Sequence, residues 1–325
     1  MAQIIGESGA WEDVCSIMAK EGLFPEQISD IKTFLEQEKK TLQNLEESKP
    51  LEKELQRLLD EKEKINEAYQ AVLSSNKKKI FARLKKLSTE IEELQKPAPL
   101  NKKIRHIYQI RQLKQKRKLL KQQAKAYFKK LERKRDAELK KAEEKYQKNK
   151  AVFSSKIKKT KRKIHLLQDI LTSPEYLGAI AEIRLIELLR SLPEDYYVLN
   201  NVNLSLDKAM RFDDKWRKTA QIDTMVISQS GIFVIEVKNW SKDFVDSHSY
   251  HNPFDQVKWA AYLCHKETRV KTRSILAHTG HIPRKPSDTY TKLKQLNEVK
   301  GYILYFDQQK IIRAERVQKL VNSLK

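Results

Sequence analysis

Turn formers are scarce. The 325 residues hold only 7 Gly and 9 Pro, too few for an all-β chain of this length, so long helices are expected. Cysteine is scarcer still: the 2 present, Cys15 and Cys264, fit neither a disulfide framework nor the paired spacing of a zinc site, so both read as reduced and structural. No run of about 18 apolar residues occurs. The opening stretch MAQIIGESGAWEDVC lacks the basic-then-apolar order of a secretory signal, and a cytoplasmic protein with no membrane partner is expected. A phosphate-binding Gly-rich loop, a Ser-centred nucleophile elbow and paired His residues at helical spacing are all missing, which sets aside the enzyme classes those motifs mark.

What the chain does have is charge, 34% of all residues with a formal net of +23. The excess is local: residues 101–166 carry 26 Lys and Arg against 5 Asp and Glu, whereas residues 27–96 carry 15 against 14. Pro97 and Pro99 separate the two stretches, and neither contains glycine. Apolar residues recur at three-then-four spacing in the first (Ile28, Ile31, Leu35; later Ile80, Leu84, Leu87, Ile91) and less regularly in the second (Ile104, Ile107, Ile110; later Phe128, Leu131). Such seams are buried only against another helix, so an antiparallel helical hairpin, a coiled coil with arms on the order of 100 Å, is predicted. Pro50 must kink or break the first arm, because it lacks an amide donor and clashes with the preceding turn.

A solvated coiled-coil face is the ordinary explanation of a Lys-rich helix. Here too few acids are present to neutralise the second arm, and self-repulsion favours a polyanion over an acidic protein, self-association or a membrane surface. Lysines facing phosphates give sequence-independent affinity with a steep salt dependence.

The domains predicted are a short helical cap (1–26), the hairpin (27–171) and a mixed α/β domain (172–325). In the last, a helix is expected at 176–192, strands at 196–199, 221–227 and 232–237, a helix at 254–264, strands at 273–278 and 301–306, and a closing helix at 314–324. The central strands are nearly continuous Val, Ile and Phe, so helices should cover both faces.

Polar residues at the ends of such strands need a reason. Glu236 and Lys238 lie two apart on one strand and project together, and the Gln229-Ser230-Gly231 turn folds the Asp223 strand alongside. Two carboxylates and an amine therefore converge. That set can hold a hard divalent cation while the ammonium positions a water, as metal-assisted phosphodiester hydrolysis requires. The plainer alternatives are that Asp223 ends a strand and that Glu236 and Lys238 form an ion pair of little worth.

Four segments in order, Gly178-Ala179-Ile180-Ala181-Glu182, Gln221-Ile222-Asp223, Gly231 through Trp240 (GIFVIEVKNW) and Asn252-Pro253-Phe254-Asp255-Gln256, resemble the NERD (nuclease-related domain) family of the PD-(D/E)XK nuclease superfamily. The resemblance implies a restriction-endonuclease-like α/β fold. It also implies catalytic roles for Glu182, Asp223, Glu236, Lys238 and Gln256, metal ligation by Asp223, Glu236 and the Val237 carbonyl, and a place in DNA defence or repair. The chain departs from the family pattern at Ala181 and Thr224, where glycine and histidine are usual, and in lacking a glycine after Lys238-Asn239-Trp240.

Between the first strand and Asp223, Arg211, Lys215, Trp216, Arg217 and Lys218 mix cations with an aromatic, which can grip a nucleic-acid backbone and stack on a base; a charged turn is the equal alternative. His248 and His251 read as loop surface residues rather than ligands. The expectation is an Mg2+-dependent DNA endonuclease, with Mn2+ also able to serve and the coiled coil binding nucleic acid or forming a homo-oligomer. RNA is not distinguished from DNA. The alternative is a non-cleaving nucleic-acid-binding or coiled-coil scaffold protein.

Overall fold

The computed structural model describes residues 1–247, 251–283 and 290–324. In chain order the elements are β1 (Gln3–Ile5), α1 (Gly9–Ala19), α2 (Asp30–Glu47), α3 (Pro50–Leu94), α4 (Leu100–Thr172), α5 (Pro174–Arg190), β2 (Tyr197–Phe212), β3 (Lys215–Ser228), β4 (Gly231–Lys238), α6 (Lys242–Asp246), α7 (Pro253–Thr268), β5 (Thr272–His278), β6 (Lys292–Gln295), α8 (Val299–Leu304) and α9 (Ala314–Leu324). They fall into two compact units, residues 39–162 and residues 1–38 with 163–325.

The 39–162 unit is helical, as its turn-poor composition predicts. Cross-pairs between Lys62 and Glu143, Asn149 and Glu54 (2.9 Å), Lys161 and Glu46 (3.4 Å), and Arg135 and the Tyr69 ring (4.7 Å) descend in α4 as they ascend in α2 and α3, which fixes the arms as antiparallel. Pro50 breaks the first arm as expected: Lys49 is left-handed at φ 45°, and Pro50 occupies the first turn of α3, where its missing N–H costs nothing.

The other unit is built on a six-stranded sheet in the order β1-β2-β3-β4-β5-β6, antiparallel from β2 to β4 and parallel at both flanks. One face packs Phe233, Ile235 and Ile275 against Leu185 and Leu189 of α5 and Val299 and Ile303 of α8. The other packs Ile232, Val234 and Met225 against Val257 and Leu263 of α7 and Val317 and Val321 of α9. Strands buried on both faces explain the unbroken apolar runs of β3 and β4.

Three sequence expectations are corrected. The segment expected as a strand at 301–306 is the helix α8, because Val299 and Ile303, four apart, are both fully buried. The last strand is instead Lys-rich β6, a short edge strand whose charges hide it from a search for apolar runs. The N-terminal residues form more than a helical cap: β1 pairs in parallel with β2, and Trp11, Val14 and Met18 of α1 pack with Tyr176 and Ala179 of α5. Between α4 and α5 the helix is jointed at Ser173, whose side chain accepts the Tyr176 N–H (3.1 Å) ahead of Pro174.

Candidate active site

β3 and β4 pair from the Ser228–Gly231 turn as far as Thr224 and Ile235. At the next position the side chain replaces the backbone: Asp223 Oδ2 accepts the Val237 N–H at 2.8 Å. Opposite, in β2, Asn201 is left-handed at φ 53°, and the β2–β3 register passes from Asn200–Thr224 to Val202–Ile222 without pairing Asn201 and Asp223. Asp223 is thus left out of the β2–β3 pairs, and its carboxylate faces β4.

A cavity of about 370 Å3 opens there. Glu182, Asp223, Glu236, Val237, Lys238 and Gln256 all line it, together with Thr172, Leu177, Asn239, Trp240 and Phe244. Lys238 Nζ donates to Glu236 Oε1 at 2.5 Å and stands 5.6 Å from the Trp240 ring centroid. Glu236 is 2% exposed and Glu182 8%. The pair is therefore not the solvated edge-strand ion pair that was the plain alternative.

Glu182 is held by residues remote in sequence. Ser8 Oγ donates to its Oε2 (2.8 Å), as does the Ala10 N–H at the start of α1 (3.4 Å). Asn239 braces the rim, its amide donating to the Leu177 carbonyl (3.0 Å) and its oxygen accepting from Thr279 Oγ1 (2.7 Å). Behind it, His281 N–H reaches the Trp240 carbonyl (2.8 Å), and a Cβ at Gly280 would lie 2.2 Å from that same oxygen, so only glycine fits. Asn239 and Trp240 follow the motif lysine directly, which is a signal for them; nothing in the sequence links Ser8 to Glu182. Thr224, where the family pattern has histidine, is fully buried with its hydroxyl on Asn200 Oδ1 (3.2 Å).

Burial and mutual repulsion set the electrostatics. Burial, then the neighbouring Asp223, push Glu236 up to about 8 against the pull of Lys238. The same two causes raise Glu182 to about 7, opposed by the Ser8 hydroxyl and the Ala10 N–H. Asp223 is raised by burial in spite of Lys238 and the Val237 N–H. Burial disfavours the Lys238 ammonium, but Glu236 and then Asp223 outweigh it and hold the lysine above its ordinary value. Three carboxyls against one ammonium leave a deficit of positive charge, and the groups titrate as a set. Among the described residues no trio of His, Cys, Asp and Glu stands preassembled around a common point for a metal ion. The donor chemistry nevertheless fits a divalent cation: the donors are hard oxygens, and the charge that would relieve their repulsion is positive.

The basic stretch before Asp223 lies elsewhere, since none of Arg211, Lys215, Trp216, Arg217 and Lys218 lines the cavity. They occupy the β2–β3 hairpin, where Arg211 faces Trp216 and its guanidinium binds Asp214 (2.7 Å). Arg217 leans on α7, donating to the Asp255 carbonyl (3.5 Å), while Trp216 is 74% exposed. Asp213 and Asp214 form the turn, and Asp213 pairs with Lys258 of α7 (2.9 Å). His251 is exposed, and His248 lies outside the described residues.

No helix among the described residues is long and apolar enough to cross a membrane. The chain is 28% identical over 169 residues to an uncharacterized protein of Bacillus anthracis, a span of 46% of this chain and 72% of that protein. No solved structure gives a significant match. The family model of the nuclease-related domain matches residues 177–281, a span that contains Glu182, Asp223, Glu236, Lys238 and Gln256. Residues 177–281 are thus similar to the nuclease-related domain family, NERD, and follow a set of long helices in the chain.

Proposed function

We propose that the NERD segment is an Mg2+-dependent endonuclease, able to use Mn2+, that hydrolyses phosphodiester bonds in DNA. The observation carrying this reading is the buried Lys238–Glu236 pair in one cavity with Asp223, Glu182 and Gln256. Asp223 and Glu236 would hold the cation, with the Val237 carbonyl as a third oxygen. Bound there, a divalent ion polarises a phosphoryl oxygen and acidifies a water.

The chain's own groups do the rest. Lys238 orients the attacking water and places positive charge beside the anionic transition state. Glu182, with its carboxyl raised and anchored to Ser8, holds or takes up a proton at the cavity wall. The Gln256 amide orients the lysine or the substrate. Helix α4 supplies sequence-independent attraction for the polyanion through its lysines and arginines.

One observation favours a second reading, a non-cleaving nucleic-acid-binding or scaffold protein. Each carboxylate already has a protein donor: Ser8 on Glu182, the Val237 N–H on Asp223 and Lys238 on Glu236. Supercoiled plasmid incubated with the protein and Mg2+ or Mn2+ separates the two. Nicking that EDTA and Asp223→Ala or Glu236→Ala abolish supports the nuclease; binding at low salt without a cut under any divalent ion supports the scaffold.

A further inference from the structure

A second cavity, of about 230 Å3, lies beside the first and is lined by Arg184, His278, Thr279, Gly280, Gln295, Leu296 and Asn297. The two share a wall. Lys238 and His278 are Cα partners across the β4–β5 ladder, and the Thr279 N–H donates to the Lys238 carbonyl at 3.2 Å. Asn239, on the rim of the first cavity, accepts the Thr279 hydroxyl.

Their chemistry is opposite. Three carboxylates line the first cavity and none lines the second. Arg184 is exposed and makes no hydrogen bond or ion pair among the described residues, so its guanidinium fork is available. His278 Nδ1 donates to the Gly280 carbonyl at 2.9 Å, which fixes the ring in the cavity wall. Glu298, next in sequence to the lining residue Asn297, turns its carboxylate back onto the Gln295 N–H (3.0 Å) in a capping box and away from the role of counter-charge. A guanidinium fork and the side-chain amides of Gln295 and Asn297, without a lining carboxylate, form a site for a phosphate.

We propose that this cavity binds a backbone phosphate of the nucleic-acid strand, adjacent to the phosphodiester held by the carboxylate cavity, with Arg184 as the main contact. The assignment rests on the nuclease reading for its neighbour but has a readout of its own. Arg184 is a positioning residue: it holds the strand in register with Lys238 and takes no part in bond breaking.

The test is equilibrium binding of a fluorescent oligonucleotide duplex to the full chain across a salt series, with wild type, Arg184→Ala, Arg184→Glu and Arg184→Lys, each checked for an unchanged melting temperature. A phosphate contact predicts that Arg184→Ala weakens binding several-fold and lowers the slope of log K against log salt by about one. Arg184→Glu should weaken it further and Arg184→Lys recover most of it, with any cleavage defect appearing in KM rather than kcat. Affinity and slope unaltered in a folded Arg184→Glu overturn the proposal, as does a wild type that binds no duplex at low salt. Altered slopes in a protein that cuts nothing would keep the phosphate site and reject the nuclease.

Discussion

Asp223 accepts the backbone N–H of Val237 at 2.8 Å, where the β3–β4 ladder stops at Thr224 and Ile235. One carboxylate thus replaces a main-chain acceptor and opens the cleft that the site occupies. The two roles come apart by substitution. Asp223→Asn keeps an oxygen for the N–H, whereas Asp223→Ala leaves a buried donor unpaired at a cost of about 1–3 kcal/mol. Both should abolish metal-dependent cleavage, but only the alanine variant should lose that much stability in a urea melt. Equal losses in the two would show that the N–H bond does not hold the cleft.

The raised carboxyls make stability depend on pH. A folded state that holds its carboxyls above their ordinary value binds more protons than the unfolded chain, so stability is highest below the ordinary carboxylate range and falls as pH rises. The window runs from the ordinary glutamate value of 4.5 to about 7 for Glu182 and about 8 for Glu236. Melting temperatures in EDTA should fall across it. Mg2+ and, separately, Glu236→Gln should each flatten the fall, the substitution by removing one of the repelling charges. A flat profile in EDTA, or a Glu236→Gln protein less stable than wild type near pH 8, would contradict this electrostatic picture.

The basic helix should be felt through salt. Lys114, Lys118, Lys121 and Lys125 are exposed and recur at near-helical spacing on α4. If they face phosphates, changing all four to glutamine should weaken duplex binding and reduce the salt slope by roughly 0.9 for each lysine in contact. An unchanged slope, measured by anisotropy between low and moderate salt, would reassign that helix to a protein partner or to self-association.

The cysteines give a simple check of the cores. Cys264 is fully buried in α7, and burial pushes its thiol up to about 12. Cys15 is only partly buried, although burial and then Glu7 raise it too. A maleimide or aromatic disulfide reagent should therefore modify Cys15 in the native protein and Cys264 only on unfolding. Native reaction of two thiols would show that the α7 face of the sheet opens.

The gathering of Asp223, Glu236 and Lys238 is legible in the sequence because it is local. Glu236 and Lys238 share a face by strand periodicity, and Asp223 reaches them through a tight turn. Glu182 and Gln256 were reached only through the order of family segments, since a helical Glu or Gln carries no signal alone. Ser8 was not legible at all: it meets Glu182 across 174 residues, and its local string reads only as a helix cap. The hairpin was legible from the glycine-free arms and the prolines between them. The strand at 292–295 and the helix at 299–304 were not, because an edge strand needs few apolar residues and a short apolar run fits either period. The Arg211 to Lys218 stretch has the composition of a grip, and it folds as a hairpin in which Asp214 pairs with Arg211, Asp213 pairs with Lys258 of α7 and Trp216 stays exposed.

Single-turnover cleavage of a short labelled duplex in Mg2+, comparing wild type with Lys238→Ala at protein concentrations that saturate binding, tests the central claim most directly. The account predicts wild-type cleavage that EDTA stops, and a rate lower by at least about 100-fold in the lysine variant at near-equal affinity. Cleavage by Lys238→Ala at the wild-type rate, or no cleavage by the wild type with any divalent ion while the duplex is bound, would contradict it.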